Sequence, residues 1–337
     1  MNSEVSPTAA TPEVWPELNQ RAPTLTWRNG LNLPLAAIVA LIVHLVVAGE
    51  EPAMETQNYS LFLGGLAGIG FLLFVLQFKL SGLRRWLRET GPVLAGGIVF
   101  LAVLEGVTTG LRLLPLPYFP SPARVLQSII TDRGMLWNST WHSLFLLASG
   151  YALGVMAGLV SGVCIGWFAP ARYWGMPVLK VVGPIPATAW IPLVLVLSPS
   201  ALFSAISLIA LAVWFPVTML TSSGISNTRA SYLDVARTLG AKPSYLIFSV
   251  AIPAAMPNIF LGLFMGLGAA FLTLVVAETV GVKSGLGWYL GWAKEWAEYG
   301  KVYSALVVMA VFFSTIMTAL FKVRDRVLVW QKGTIKW

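Results

Sequence analysis

The chain has 337 residues, of which 57% are hydrophobic types and only 11% are charged. A soluble domain carries roughly 25% charged residues, so this composition excludes a soluble fold and describes a membrane protein with several spanning segments. The net charge is +8, with one cysteine and two histidines, which excludes an internal disulfide and a cysteine metal cluster.

Residues 1–30 are polar and Pro-rich, lack an apolar core, and read as a flexible cytoplasmic tail rather than a signal peptide. A spanning helix needs about 20 mostly apolar residues. Eight runs are candidates, near 33–49, 59–78, 91–114, 141–168, 177–198, 201–223, 257–279 and 302–321. The first is the shortest. Between the second and third, Lys79, Arg84, Arg85 and Arg88 form a basic loop, which the positive-inside rule places in the cytoplasm. The loop near Glu50, Glu51 and Glu55 carries no base and is expected outside. Eight crossings then put both termini in the cytoplasm, with sixteen of the 22 basic residues.

The fourth run holds Gly150, Gly154, Gly158, Gly162 and Gly166. One glycine every four residues draws a stripe that lets another backbone approach closely. Packing within the chain is the expected use, and a dimer seam is the alternative. The fifth run contains Gly183, Pro184, Pro186 and Pro192, which remove backbone hydrogen bonds from a would-be helix. Such a break survives in lipid only where protein or a watery cavity satisfies the freed groups. A bent helix lining a pathway is therefore expected, with a merely kinked packing helix as the alternative.

Between the sixth and seventh runs, Thr228 to Pro243 read as a short helix with marked ends. Ser231 is the expected N-cap and Asp234 can close a capping box. Gly240 fits the left-handed position past the helix end, and Pro243 can open the next helix. Tyr232, Leu233, Val235, Ala236 and Leu239 give the segment an apolar side. So short a helix is unstable alone in water and needs lipid, the chain itself or a soluble partner against it.

Asp234-Val235-Ala236, Gly240-Ala241, Ile252-Pro253 and Pro257 together resemble the EAA loop of ABC-importer permeases. The family's first position is usually Glu; Asp234 keeps the carboxylate. Leu116 to Pro122 resembles the family's Pro-rich entry segment. Pro184-Ile185-Pro186 with Ala189 to Leu193, and Ala277-Glu278-Thr279 with Ser284 to Gly287, are similar to the nitrate/sulfonate/taurine/bicarbonate branch. The resemblance covers about residues 92–332.

The resemblance implies an all-α integral membrane protein of the type I ABC-importer permease fold. It would have about eight transmembrane helices, a six-helix core plus two extra N-terminal spans. The expected organisation is a tail (1–30), two extra spans with the basic loop (31–90), the permease domain (91–325) with its coupling loop (224–256), and a cytoplasmic C-terminal tail (326–337). It further implies a non-enzymatic subunit of the bacterial inner membrane that forms the pathway for a small anion such as nitrate, bicarbonate, sulfonate or taurine. Cytoplasmic ATP-binding subunits carrying ATP and magnesium, an external solute-binding protein and a second permease copy are the implied partners, with no cofactor in this chain and no nucleic acid. Coupling to the ATPase would fall to Asp234, Val235, Ala236, Arg237, Gly240 and Ala241. The pathway or gate would involve Pro186, Thr188, Trp190, Pro192 and Glu278. The sequence holds no phosphate-binding loop of the G-x-x-x-x-G-K-[ST] type. Another small solute, such as a pyrimidine precursor, is an alternative cargo. An ion-coupled secondary transporter is an alternative class, although it would favour more paired intramembrane charges than these runs carry.

Glu105, in the middle of the third run, must face protein or water, either as a functional group or as half of a structural pair. His44 reads as an interfacial or packing residue. Trp288, Trp292, Trp296 and Tyr299 follow a helical spacing and read as an aromatic belt at the outer interface, with a docking face for the binding protein as the alternative.

Overall fold

The computed structural model describes residues 30–47, 53–114 and 117–331. The expectations for the N-terminal tail, Glu50, Glu51, Leu116 and the last six residues lie outside the described residues, as does the side chain of Glu55.

All the described secondary structure is helical. Thirteen α-helices run in order: α1 (Asn32–Val47), α2 (Ala53–Leu76), α3 (Ser81–Glu105), α4 (Pro122–Thr131), α5 (Arg133–Trp167), α6 (Ala169–Val182), α7 (Ile191–Leu197), α8 (Ala201–Ser226), α9 (Ala230–Thr238), α10 (Pro243–Tyr245), α11 (Ile252–Gly281), α12 (Leu286–Glu295) and α13 (Tyr299–Val327). Among the described residues all eight apolar runs fall on helices, but helix length and composition do not confirm eight separate crossings. Among the described residues, six helices are long and apolar enough to cross, at Thr56–Leu76, Ser81–Gly110, Arg133–Trp167, Ala201–Ser226, Pro243–Gly281 and Tyr299–Val327. The first run forms only the 16-residue α1, about 24 Å long against a hydrocarbon core of about 30 Å. The fifth run is a broken pair, α6 with the turn and helix after it, bent by 86°.

The chain divides into two compact units after Arg112, so the third run groups with the first two. In the first unit, α1 packs on both α2 and α3. Small residues Ala36, Ala37 and Ala40 are buried there. His44 is fully buried rather than interfacial, and its Nδ1 pairs with a Glu105 carboxylate oxygen. Its Nε2 lies 3.2 Å from the Thr56 carbonyl, and Tyr59 meets the ring edge-on at 4.9 Å. Glu105 is therefore half of a structural pair.

The core of the second unit is α8, held between α5 and α11. The glycine stripe packs inside the chain. A Cβ on Gly150, Gly158, Gly162 or Gly166 would lie 2.6 to 2.7 Å from a Cβ of Ile209, Val217, Thr221 or Ile225. At Gly154 the nearest atom would be the Ala210 carbonyl oxygen at 2.6 Å. Each glycine of the stripe thus seats one residue of α8, in register from Gly150 to Gly166. On the other side, Gly262 and Gly266 of α11 sit against Val213 and Val217, more loosely. Lipid tails are as apolar as these side chains, so close van der Waals packing holds such helices together. Polar contacts add to it: Ser161 Oγ meets Thr218 Oγ1 at 2.8 Å and accepts from Trp214 Nε1 at 3.0 Å, and the Tyr151 hydroxyl donates to the Leu263 carbonyl at 2.9 Å. Arg172 turns back onto the carbonyls of Ile165 and Gly166 and satisfies the end of α5. α13 joins this core through Phe313, stacked on Phe271 at 4.1 Å.

Candidate functional site

Two places in the second unit combine sequence motifs with unusual geometry. The first is the break in the fifth run. α6 ends at Val182, and Gly183 continues without a Cβ because Phe215 of α8 fills that space; a Cβ would lie 2.1 Å from its ring. Pro184 and Pro186 then prevent helical hydrogen bonding, and a single 3-10 turn, Ala187–Trp190, leads into α7. The bend opens a cavity of about 410 Å³. Ile185, Pro186, Thr188 and Trp190 line it from the bend, Phe215 and Pro216 from α8, and Leu272 and Thr273 from α11.

No charged side chain lines this cavity. Its polar groups are the Thr188 and Thr273 hydroxyls and the Trp190 indole, whose Nε1 is enclosed with no hydrogen-bond partner. Of the five residues expected along a pathway, Pro186, Thr188 and Trp190 line the cavity, while Pro192 and Glu278 do not. The contributions of α8 and α11 went unseen in sequence. Thr273, an isolated hydroxyl in an apolar run, was the one available signal.

The second place is α9. It begins at Ala230, with Arg229 as N-cap and no side-chain cap, so Ser231 is inside the helix and the capping box does not form. Asp234 instead pairs with Arg237 at 3.1 Å on the exposed surface. The far end is as expected. Gly240 has φ +81, its N–H donates to the Arg237 carbonyl at 2.9 Å, and the Ala241 N–H donates to the Ala236 carbonyl at 3.0 Å. Pro243 opens α10. Leu233 and Ala236 are half-covered by the chain, but Tyr232, Val235 and Leu239 stay 51%, 61% and 83% exposed.

The profile of the family "Binding-protein-dependent transport system inner membrane component" matches residues 150–328, more than half of the chain, including both places. The chain belongs to this family. Among curated relatives of this permease is the "Putative aliphatic sulfonates transport permease protein SsuC" of Bacillus subtilis. It is 31% identical over 69% of this chain and 84% of its own length. The "Taurine transport system permease protein TauC" of Escherichia coli is 29% identical over 53% of this chain and 68% of its own length. Among solved structures, the permease superposes with a TM-score of 0.51 on a chain from the inward-facing MetNI methionine ABC transporter. That match covers 58% of this chain and 98% of the other at 18% identity, a likeness of fold. The permease is thus a multi-pass membrane transport subunit of the type I fold.

The remaining expected residue, Glu278 of the permease, is fully buried near the end of α11. Its carboxylate accepts from Ser143 Oγ at 2.6 Å and from the Gly287 N–H at 2.7 Å, while Ser143 Oγ accepts from the Leu286 N–H at 2.8 Å. Glu278 and Ser143 together satisfy the first amides of α12, a capping role supplied from two other helices. Gly285, at φ +126, must be glycine here, since a Cβ would also lie 2.4 Å from the Glu278 carboxyl. The aromatic face expected at 288–299 is divided: Trp288 and Trp292 stack on α12 at 6.4 Å, but α12 ends at Glu295 and Tyr299 starts α13. Tyr289 is fully buried and donates to Asp132 at 2.7 Å, and burial together with this bond pushes its phenol above the usual tyrosine range.

Proposed function

We propose that this permease forms the membrane pathway of an ATP-driven importer for a small oxyanion or organosulfonate. The observation that carries the reading is α9: a nine-residue helix between two spans of the core, ended by a left-handed glycine, with three apolar side chains left open. An unburied apolar face on so short a helix calls for a partner surface. A cytoplasmic ATP-binding subunit is that partner, with ATP and magnesium bound there and not in this chain. An external solute-binding protein delivers the cargo. Met265 and Leu272, which line the cavity, are 53% and 74% exposed in the single chain, as suits a wall completed by a second copy.

The cavity itself supports transport of a compact solute. Two hydroxyls in an uncharged lining can hold an oxyanion by hydrogen bonds without trapping it, and a pathway must release what it binds. The names of the sulfonate and taurine relatives support that cargo class for this chain. Bicarbonate and nitrate have the same anionic oxygens and belong to the same proposed class.

The test is purification of the full chain in mild detergent from its host, followed by reconstitution in liposomes with whatever co-purifies. A stoichiometric ATPase, ATP-dependent uptake of taurine or an alkanesulfonate, and loss of uptake in Gly240→Val are the expected results. Uptake without ATP, driven by an ion gradient, would overturn the reading and favour a secondary transporter. Unchanged uptake in an assembled Gly240→Val complex would remove α9 from coupling.

A further inference from the structure

The first unit holds a second cavity, of about 330 Å³, lined by Ser81, Arg84, Arg85, Arg88 and Glu89. Three guanidiniums against one carboxylate leave two positive charges in it. Arg84 is locked in place: its Nε donates to the Gln77 carbonyl at 3.2 Å, just past the end of α2. That bond leaves its two terminal nitrogens for a ligand. Arg88 lies one helical turn on, on the same face. Its Nε is enclosed without a partner, and Glu89 forms no ion pair with the arginines among the described residues. The expected basic loop is in fact the first turns of α3, and basic residues that served only to orient the chain would need neither a cavity nor an arginine fixed to a backbone carbonyl.

The depth of the cavity follows from helix length. Ser81–Gly110 is 30 residues of continuous helix, about 45 Å, against a hydrocarbon core of about 30 Å. Its apolar stretch begins after Gly91, so the first turns lie at the level of the lipid headgroups. Phe78, Leu80 and Trp86, exposed at 55%, 54% and 45%, flank the arginines and suit the same interfacial layer. Phosphate oxygens are the groups that arginine pairs bind best, through paired N–H donors.

We propose that this cavity is a binding site for the phosphate of an anionic phospholipid, held by Arg84 and Arg88 with Arg85 at the rim. The site is independent of the transport reading above.

The test uses the full chain, stripped of lipid in mild detergent and titrated with dihexanoyl phosphatidylglycerol, with thermal unfolding and native mass spectrometry as readouts. One lipid per chain and a saturable rise in melting temperature are expected. Arg84→Gln and Arg88→Gln should each weaken binding about tenfold or more, as loss of a charge-assisted bond implies, while Lys322→Gln should leave it unchanged. Equal lipid binding by monodisperse Arg84→Gln and Arg88→Gln proteins would overturn the proposal. So would equal stabilisation by inorganic phosphate at the same concentration, which would make the site one for free phosphate. If one substitution impairs folding, the other decides; if both do, Arg85→Gln at the rim should still weaken lipid binding, and unchanged binding by that folded variant refutes the site.

Discussion

Replacing Glu278 tests whether this carboxylate builds the junction of α11 and α12 or handles the cargo. It accepts two hydrogen bonds, at 2.6 and 2.7 Å, and Ser143 relays it to a third group, the Leu286 N–H. Hydrogen bonds to a charged acceptor contribute about 1.5–3 kcal/mol each, and a buried donor left without an acceptor costs about 1–3 kcal/mol. Glu278→Ala breaks two such bonds in a fully buried place, so a loss of about 3–5 kcal/mol is expected. Ser143→Ala removes one of the same bonds and the Leu286 contact, for about 2–3 kcal/mol. The double variant should lose much less than the sum, with a coupling energy of about 1.5–3 kcal/mol. Unfolding of the four proteins by denaturing detergent in mixed micelles measures the cycle. Additive losses, or a Glu278→Ala protein as stable as the parent yet unable to transport, would refute the capping role and return Glu278 to the pathway.

The glycine stripe makes a graded prediction. Gly158→Ala forces a Cβ to 2.7 Å from that of Val217 and should cost about 1–3 kcal/mol by overpacking, whereas Gly268→Ala, with nothing within 4 Å, should gain up to about 1 kcal/mol in helix propensity; thermal unfolding of both variants reads the order. Ala297, at φ 56, and Glu298 close α12 with the same pair of backbone bonds that Gly240 and Ala241 make after α9, so Ala297→Gly should raise stability by about 1 kcal/mol, and a lower melting temperature would count against strain there. Trp190→Phe removes an enclosed donor that has no acceptor, and should raise the melting temperature of the resting chain; a fall would mean the indole N–H is satisfied.

Much of the fold was legible because lipid imposes a simple grammar: apolar runs must be helices, and small residues at a fixed spacing must pack. The glycine stripe, the break at Gly183 to Pro186, and the Gly240 turn with Pro243 after it all follow from local chemistry. What stayed hidden depends on distance along the chain. His44 finds Glu105 across 61 residues and Ser143 finds Glu278 across 135, and no local pattern announces either pair. The same holds for the cavity, whose bend reads in one segment but whose far walls come from α8 and α11. Ser231 misled because a serine before an apolar stretch is a good cap signal, yet here the cap falls two residues earlier, at Arg229.

The tight seating of α8 has a mechanical meaning. With α5 interlocked on one side and α11 resting on the other, α8 has little freedom to slide or rotate alone. α9 packs on residues 246–251, which run straight into α11, so a push on it is transmitted to the three-helix block as one stiff lever. The compliant part is the proline-broken corner after α6, where backbone hydrogen bonds are already missing. A force applied at α9 would therefore be spent at the cavity wall, where three prolines and a glycine let the backbone yield cheaply.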